Sequence, residues 1–483
     1  MNKLILLLLL LISVSVFSQV QITRYYSMNG PIKDSGNYVA GKKEGEWKFY
    51  HDNKQLHAIG NYLSDQKSGD WKTFYNKGKL YEIGKYVNGK KQGVWKNYFE
   101  NGQLWQIGNY ADDQKIGEWK TQHDVGTLNE IGKYVAGKKQ GEWKAFYVTG
   151  QILQIGNYHN NLKKGEWKRY FSDGKLQKFE KYTNGEKEGE WKEFYENGQL
   201  KVLENYSKNK KEGEFKSYFN TGQIKIQCTY KNDKLQGEWK ECFHNGQLRQ
   251  IGIFNNDRIE GIWTNYYENG QVWNIFNSVA GENHGERKDY YENGQLKAIG
   301  VYNKNKEDGL WIKYFQNGHV NEIGNFMNGE KSGEWKEYYE NGQLYKIGNF
   351  LEDLEVGEWK LYDDDGVLEG IDKYSADTLF SERYHSNGKI YRLEKYVNGN
   401  GSGELKEFDL DGQLSVIRTY HENSIKIKEI INYKNGLKDG EYILFYQGGG
   451  EEEKGNYREG VKIGKWVKLG FDTGYIIESK YYE

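Results

Sequence analysis

Residues 333–356 read G-E-W-K-E-Y-Y-E-N-G-Q-L-Y-K-I-G-N-F-L-E-D-L-E-V, and the next residues, Gly357 to Lys360, start the same phrase again. The interval is 24 residues, and it runs through most of the chain. Trp47, Trp71, Trp95, Trp119, Trp143, Trp167 and Trp191 keep it, and the phase continues through Phe215, Trp239, Trp263, Arg287, Trp311, Trp335 and Trp359. Counting Trp466 at the irregular end, thirteen of the 15 Trp occupy this one position. With the Trp as position 0, a Gly stands at −2 (Gly45, Gly69, Gly93), and Asn-Gly often stands at 6 and 7, as in Asn341-Gly342. Leu follows at 9, Ile at 12, Gly at 13 and Tyr or Phe at 15. A fixed period of this length marks a stack of repeated supersecondary units.

Asn-Gly between two alternating, aromatic-rich segments is a hairpin signal, because a type I′ turn needs positive φ at both central residues. A two-residue turn at positions 6 and 7 predicts Tyr339 opposite Leu344, Trp335 opposite Gly348 and Phe350 opposite Gly333, with rings laid over glycines. One face then carries positions 0, 4, 9 and 15. The other carries Lys at 1, an aromatic at 3 and Ile at 12. If a six-residue connection such as Val87 to Gln92 leads into the next hairpin, each Trp also faces the Gly at 13 of the unit before it. A lone hairpin is marginal in water, so the stability must come from stacking.

The expected fold is all-β: an elongated, solenoid-like meander of about 19 tandem 24-residue hairpins, each adding on the order of 10 Å. Three segments are expected: 1–18 as a signal peptide, 19–374 as the regular array, and 375–483 as irregular repeats and a cap. In the last, Ser375 to Phe380 shortens one interval, an insertion surrounds His421 to Ser424, and Gln447 to Gly450 replaces a turn.

Composition narrows the function classes. The 68 Lys+Arg nearly balance 69 Asp+Glu, which argues against a protein that wraps nucleic acid by bulk charge. Aromatic residues at 16% and a single Pro argue against disorder. Met1 to Ser18 has Lys3, an apolar run from Leu4 to Ile12 and a small-residue exit, the pattern of a secretory signal cleaved after Ser18. The run is shorter than the ~20 residues of a membrane span. The expected location is therefore periplasmic, outer-membrane-associated or secreted. Cys228 and Cys242 are too few for a disulfide framework, and the register puts them on opposite faces, so two free thiols are expected.

No arrangement of residues calls for catalysis, a metal or a cofactor. G-x-x-x-x-G-K at Gly36 to Lys42, Gly84 to Lys90 and Gly132 to Lys138 lacks the Ser or Thr and the helix of a phosphate loop. Asp363 to Gly366 and Asp409 to Gly412 lack the Glu that completes a calcium loop and read as turn variants. His51, His123 and His385 fall at position 4, where Tyr is usual, and read as aromatic substitutes. Carboxylates recur in register at −1 and 5, as on a solvated strand edge. Two periodic surfaces remain as binding candidates. One is the ladder of Trp47, Trp71, Trp95, Trp119, Trp143, Trp167, Trp191, Trp239, Trp263, Trp311, Trp335 and Trp359, a platform for sugars or extended peptides. The other is a Lys edge for an anionic partner, Lys42, Lys43, Lys90, Lys91, Lys138 and Lys139.

The segments G-E-W-K-E-Y-Y-E-N-G-Q-L (Gly333 to Leu344) and G-E-W-K-E-F-Y-E-N-G-Q-L (Gly189 to Leu200), with the I-G-N-Y and N-G-K-K stretches between such segments, resemble the MORN repeat. The match is to its bacterial variant, seen in YwqK-type proteins labelled as antitoxins. The resemblance covers nearly the whole chain after the leader. It implies a β-hairpin scaffold, and its antitoxin label implies a cytoplasmic toxin as partner, whereas the leader implies export. The expected function is an exported, non-enzymatic scaffold for a protein or extended polymer partner. The alternatives are a glycan- or lipid-surface binder and an antitoxin-like partner of a toxin.

Overall fold

The computed structural model describes residues 19–27, 30–397, 400–401, 403–421 and 424–483; the expected signal segment, 1–18, lies outside them. Among the described residues the chain forms 42 strands and no helix. It divides into two compact units, Met1–Leu235 and Gln236–Glu483. Within each unit the strands form an antiparallel meander, as Gln66–Phe74 pairs with Leu80–Val87 and Glu330–Tyr338 with Leu344–Leu351. In three places the returning strand is broken in two and both pieces pair with the same preceding strand, as Glu186–Lys187 and Gly189–Phe194 do with Leu176–Thr183. The all-β architecture of tandem hairpin repeats is the one expected from the period.

The central register is also as expected. Trp335 pairs with Gly348 and Gly333 with Phe350. Gly132 pairs with Trp143 and Gly156 with Trp167, so a Trp does face the Gly at 13 of the preceding unit.

The turns are not as expected. Of positions 6 and 7 only the second has positive φ, as in Gly342 at +90° and, without glycine, Lys54 at +71°. The Gly342 N–H donates to the Tyr339 carbonyl and the Tyr339 N–H to the Gln343 carbonyl, a three-residue loop with Gly in the left-handed site. Tyr339 therefore faces Gln343, and it is Tyr338 that pairs with Leu344. A bulge follows before Lys346 pairs with Glu337, and this second offset cancels the first, which is why the pairing at Trp335 survives. Leu at 9 accordingly lies on the face of the aromatic at 3, not on that of the Trp.

The two-residue turns with positive φ at both residues sit where the longer connection was expected. Asn88-Gly89 (φ 49° and 78°) joins Leu80–Val87 directly to Lys90–Tyr98, with Val87 paired to Lys90. Asp112-Asp113 and Asn160-Asn161 do the same without glycine. Asp113 and Asn161 tolerate this because each Oδ1 accepts the backbone N–H of a residue 22 positions earlier, Lys91 and Lys139.

The two repeated glycines serve different needs. A Cβ on Gly333 would meet nothing within 4 Å, so that position keeps Gly for its φ of +71° in the bulge before the Trp. The expected ring-over-glycine packing applies instead at position 13. A Cβ on Gly132 would lie 2.1 Å from the Trp143 ring, and one on Gly348 2.1 Å from Trp359.

The array continues in altered form through 375–483. Asp372 pairs with Trp359 on one side and with Ser381 on the other across the shortened interval. Further on, Tyr442 and Trp466 restore the pattern, each paired with or stacked on the Gly455 strand.

Candidate interaction surface

The two faces of the sheet differ in how much of their chemistry is already used. On the Trp face of the first unit, Trp47, Trp71, Trp95, Trp119, Trp143 and Trp167 are 0–4% exposed. Each is crossed edge-on by the preceding Tyr at 15: Tyr86 and Trp95 have centroids 5.0 Å apart at 88°, Tyr110 and Trp119 5.1 Å at 87°. Such edge-to-face pairs match the positive rim of one ring to the negative face of the next. Burial, with Glu82 nearby, pushes the Tyr86 hydroxyl up to about 12.

The Lys four residues before each Trp completes this layer. Lys67 Nζ lies 4.3 Å from the Trp71 centroid, Lys91 3.9 Å from Trp95, Lys115 4.0 Å from Trp119 and Lys139 3.7 Å from Trp143. These are cation–π distances. Lys91 also pairs with Glu82 and Lys139 with Glu130, at 2.8 and 2.9 Å. Burial lowers the Lys67 and Lys115 ammonium groups below the usual lysine range.

The six lysines of the candidate edge therefore divide. Lys43, Lys91 and Lys139 are half-buried over Trp47, Trp95 and Trp143, whereas Lys42, Lys90 and Lys138 are exposed beside the turns. Of the predicted Trp ladder, Trp263, Trp311, Trp335 and Trp359 of the second unit are likewise buried, while Trp191 and Trp239 are half-buried. Most indole N–H groups are engaged as well, as in Trp71 to the Asn61 carbonyl at 3.0 Å and Trp335 to Asn325 at 3.1 Å, whereas those of Trp95, Trp143 and Trp239 are buried without an acceptor among the described residues. Sequence reasoning missed the Lys stack, although a Lys stands four residues before the aromatic in eight consecutive units, Lys43 to Lys211.

The turn edge is also closed on itself. Tyr339 Oη donates to the Tyr362 carbonyl, and Tyr147 to Tyr170. His51, His123 and His385 make the same contact through Nε2 to Phe74, Phe146 and Phe408, so they stand in for Tyr. Asn at position 6 bridges successive turns: Asn197 Oδ1 accepts the Gln199 N–H, and its Nδ2 donates to the Asn220 carbonyl. In Asp363 to Gly366 the Asp363 carboxylate accepts the N–H groups of Asp365 and Val367, a turn contact within the loop. Among the described residues no group of three or more His, Cys, Asp or Glu is placed to hold a metal. Cys228 is a buried free thiol and Cys242 a half-buried one; burial pushes Cys228 up to about 11.

The opposite face has unspent surface. Directly paired residues share a face, so Tyr98 with Leu104 and Lys96 with Ile107 set an aromatic, two aliphatics and a Lys side by side. The same set recurs as Phe74, Leu80 and Ile83, and as Phe146, Ile152 and Ile155. These apolar side chains are mostly half-buried, with no second layer over them among the described residues. Beside them runs a row of short ion pairs, Glu118–Lys120 at 2.8 Å, Glu142–Lys144 at 2.7 Å and, in the second unit, Glu334–Lys336 at 2.9 Å. Leu128, Ile131 and Phe146 floor an open depression of about 460 Å³ walled by Glu118, Glu142 and Lys144. In the second unit Phe380 and Leu393, with Glu404 and Lys406, line another of about 370 Å³. Sequence reasoning assigned this face its Lys, aromatic and Ile, but not its Leu.

No curated protein sequence matches the chain. Among solved structures it is similar to the crystal structure of TcdB2-TccC3, at 11% identity over 95% of this chain and 27% of that one, with a TM-score of 0.14. It is also similar to TcdB2-TccC3 without its hypervariable C-terminal region, at 10% identity over 96% and 30%, with the same score. The chain thus spans less than a third of the length of either structure. The model of the MORN repeat variant matches residues 43–63, 67–88, 91–112, 139–160, 163–184, 187–208, 211–232, 235–256, 259–278, 283–304, 307–328, 331–352 and 355–376. Those segments make up more than half of the chain, which belongs to the MORN repeat variant family.

Proposed function

We propose that this chain is an exported, non-enzymatic scaffold that holds an extended polypeptide partner along its aromatic–aliphatic face. The observation that carries the reading is the recurrence, unit after unit, of Tyr98, Leu104 and Ile107 or their equivalents beside Glu–Lys pairs. An extended chain of alternating apolar and charged residues matches that pattern, and weak contacts to many units sum through effective concentration. The carboxylates support a non-enzymatic reading, since they recur as partners of Lys in register rather than converging on one cleft. The Trp ladder favours the polypeptide over a glycan, because its rings are already stacked between Tyr and Lys.

Two measurements test the reading. Fractionation with sequencing of the mature N-terminus is expected to find a start at Gln19 in the envelope or medium. An intact Met1 in the cytoplasm would overturn export and favour the antitoxin-like alternative that the family variant suggests. Deleting single 24-residue units is expected to weaken partner capture gradually. Abrupt loss on one deletion would mean a localised site instead of a distributed surface.

A further inference from the structure

Among the described residues, the first and last strands have no partner on their outer sides. Gln19–Tyr25 pairs only with Ile32–Val39, and Ile476–Tyr482 only with Val461–Leu469, among the described residues. Natural sheets usually blunt such edges with bulges, prolines or inward charges. Here the last strand carries Ile476 at 53%, Ile477 at 66% and Tyr481 at 74% exposure, and Val20 in the first is 50% exposed.

The two edges are complementary in kind. Trp466 pairs with Lys480 and Gly464 with Tyr482, so Lys480 occupies position 13 and Tyr482 position 15. Ile22 pairs with Gly36 and Val20 with Tyr38, so Ile22 occupies position 0. Inside the array a strand of the first kind is always followed by one of the second, with 13 opposite 0, 12 opposite 1 and 11 opposite 2, as in Gly132–Trp143, Ile131–Lys144 and Glu130–Ala145. That register would place Lys480 opposite Ile22, Ser479 opposite Thr23 and Glu478 opposite Arg24. Position 13 must be Gly only where a Trp ring lies on it; Ile22 brings no indole, so Lys480 is tolerated, as Phe276 is opposite Arg287. Glu478 opposite Arg24 is an opposite-charge pair of the kind already found in this row, Lys178 with Glu193. Arg24 is half exposed, with one side on Asp34 at 2.7 Å.

We propose that copies of this chain join head to tail, strand Ile476–Tyr482 of one copy adding to strand Gln19–Tyr25 of the next in the register of the internal repeats. The contact uses two different surfaces, so it does not close on itself as a two-fold dimer does. It goes beyond the scaffold reading and stands on edge residues which that reading does not use. Assembly would multiply the binding face along a polymer.

The test is sedimentation velocity of the purified protein over a range of concentrations. Growth through dimer, trimer and larger species is expected, and the free peptide Q-V-Q-I-T-R-Y, the sequence of Gln19–Tyr25, is expected to shorten the assemblies. Glu478→Arg, which would set like charges opposite Arg24 while leaving the Arg24–Asp34 pair intact, is expected to weaken growth several-fold, and Glu478→Gln to weaken it less. Trp fluorescence confirms that each variant keeps its ladder. A monomer at every concentration would overturn the proposal, as would a closed dimer indifferent to the peptide and to both Glu478 variants.

Discussion

Within the first unit, residues 36–167 and residues 180–218 answer one requirement differently. In the former, position 13 is Gly36, Gly60, Gly84, Gly108, Gly132 or Gly156, and every following Trp is at most 4% exposed. In the latter, position 13 is Glu180 and then Glu204; Trp191 after the first is only half-buried, and after the second the ring is the smaller Phe215. The strands change too, with breaks between Lys187 and Gly189 and between Lys211 and Gly213. The second unit shows a further solution, Phe276 opposite Arg287, in which the guanidinium turns to Asp289. The ring and the hole beneath it are thus one choice made across two successive repeats.

The largest test of this comparison removes the ring. Trp143→Ala is expected to cost about 3–5 kcal/mol, a typical loss for a buried aromatic. It should appear as lost amide-exchange protection in Lys138–Phe146 and its two neighbours, with distant repeats unchanged. Filling the hole is next: Gly132→Ala sets a Cβ against the Trp143 ring and is expected to cost about 1–3 kcal/mol by overpacking. The same substitution at a turn-facing glycine beside open space would not move Trp emission. The reverse change should partly convert one region into the other. Glu180→Gly is expected to bury Trp191, shift its emission to the blue and gain on the order of 1 kcal/mol from added apolar burial.

Asn197→Asp removes the donor that reaches the Asn220 carbonyl and is expected to cost about 0.5–1 kcal/mol in a denaturant melt. The smallest effect concerns pH. His57 contacts His51 Nε2 at 3.2 Å, and burial, then the neighbouring His51, holds its imidazole below the ordinary histidine value. The unfolded chain therefore takes up that proton first, so stability is full above the ordinary histidine range near ~6.5 and falls as pH drops through it. Protection in Lys42–Tyr50 and Leu56–Leu63, corrected for the pH dependence of intrinsic amide exchange, is expected to fall on acidification, and His57→Gln to flatten that response.

Much of this was legible in the sequence. The 24-residue phase gave hairpins, and the pairing of Trp with the Gly at 13 followed from counting. The turn type did not follow, because Asn at position 6 is there for two hydrogen bonds, one of them to the next turn. A rule about local φ preference sees neither. The left-handed pairs hid behind ordinary residues such as Asp112-Asp113, which depend on a backbone donor 22 residues away. The sequence alone offers both lysines of each pair to an anionic partner, since a Lys pair at a turn usually faces outward. Stacking of the second Lys on an indole depends on which face the strand presents, and the bulge beside the Trp sets that.

On the proposed function, one face is consumed by its own Trp, Tyr and Lys while the other remains to bind. Photo-crosslinking residues placed singly at Tyr98 and Tyr170, on the aromatic–aliphatic face, and at Lys90 and Lys138, on the exposed edge, test it in cells producing the protein. Crosslinks to one polypeptide from Tyr98 and Tyr170, with none from the two Lys sites, are the expected result. Crosslinks from Lys90 and Lys138 alone would put the partner on the turn edge and overturn the proposed function.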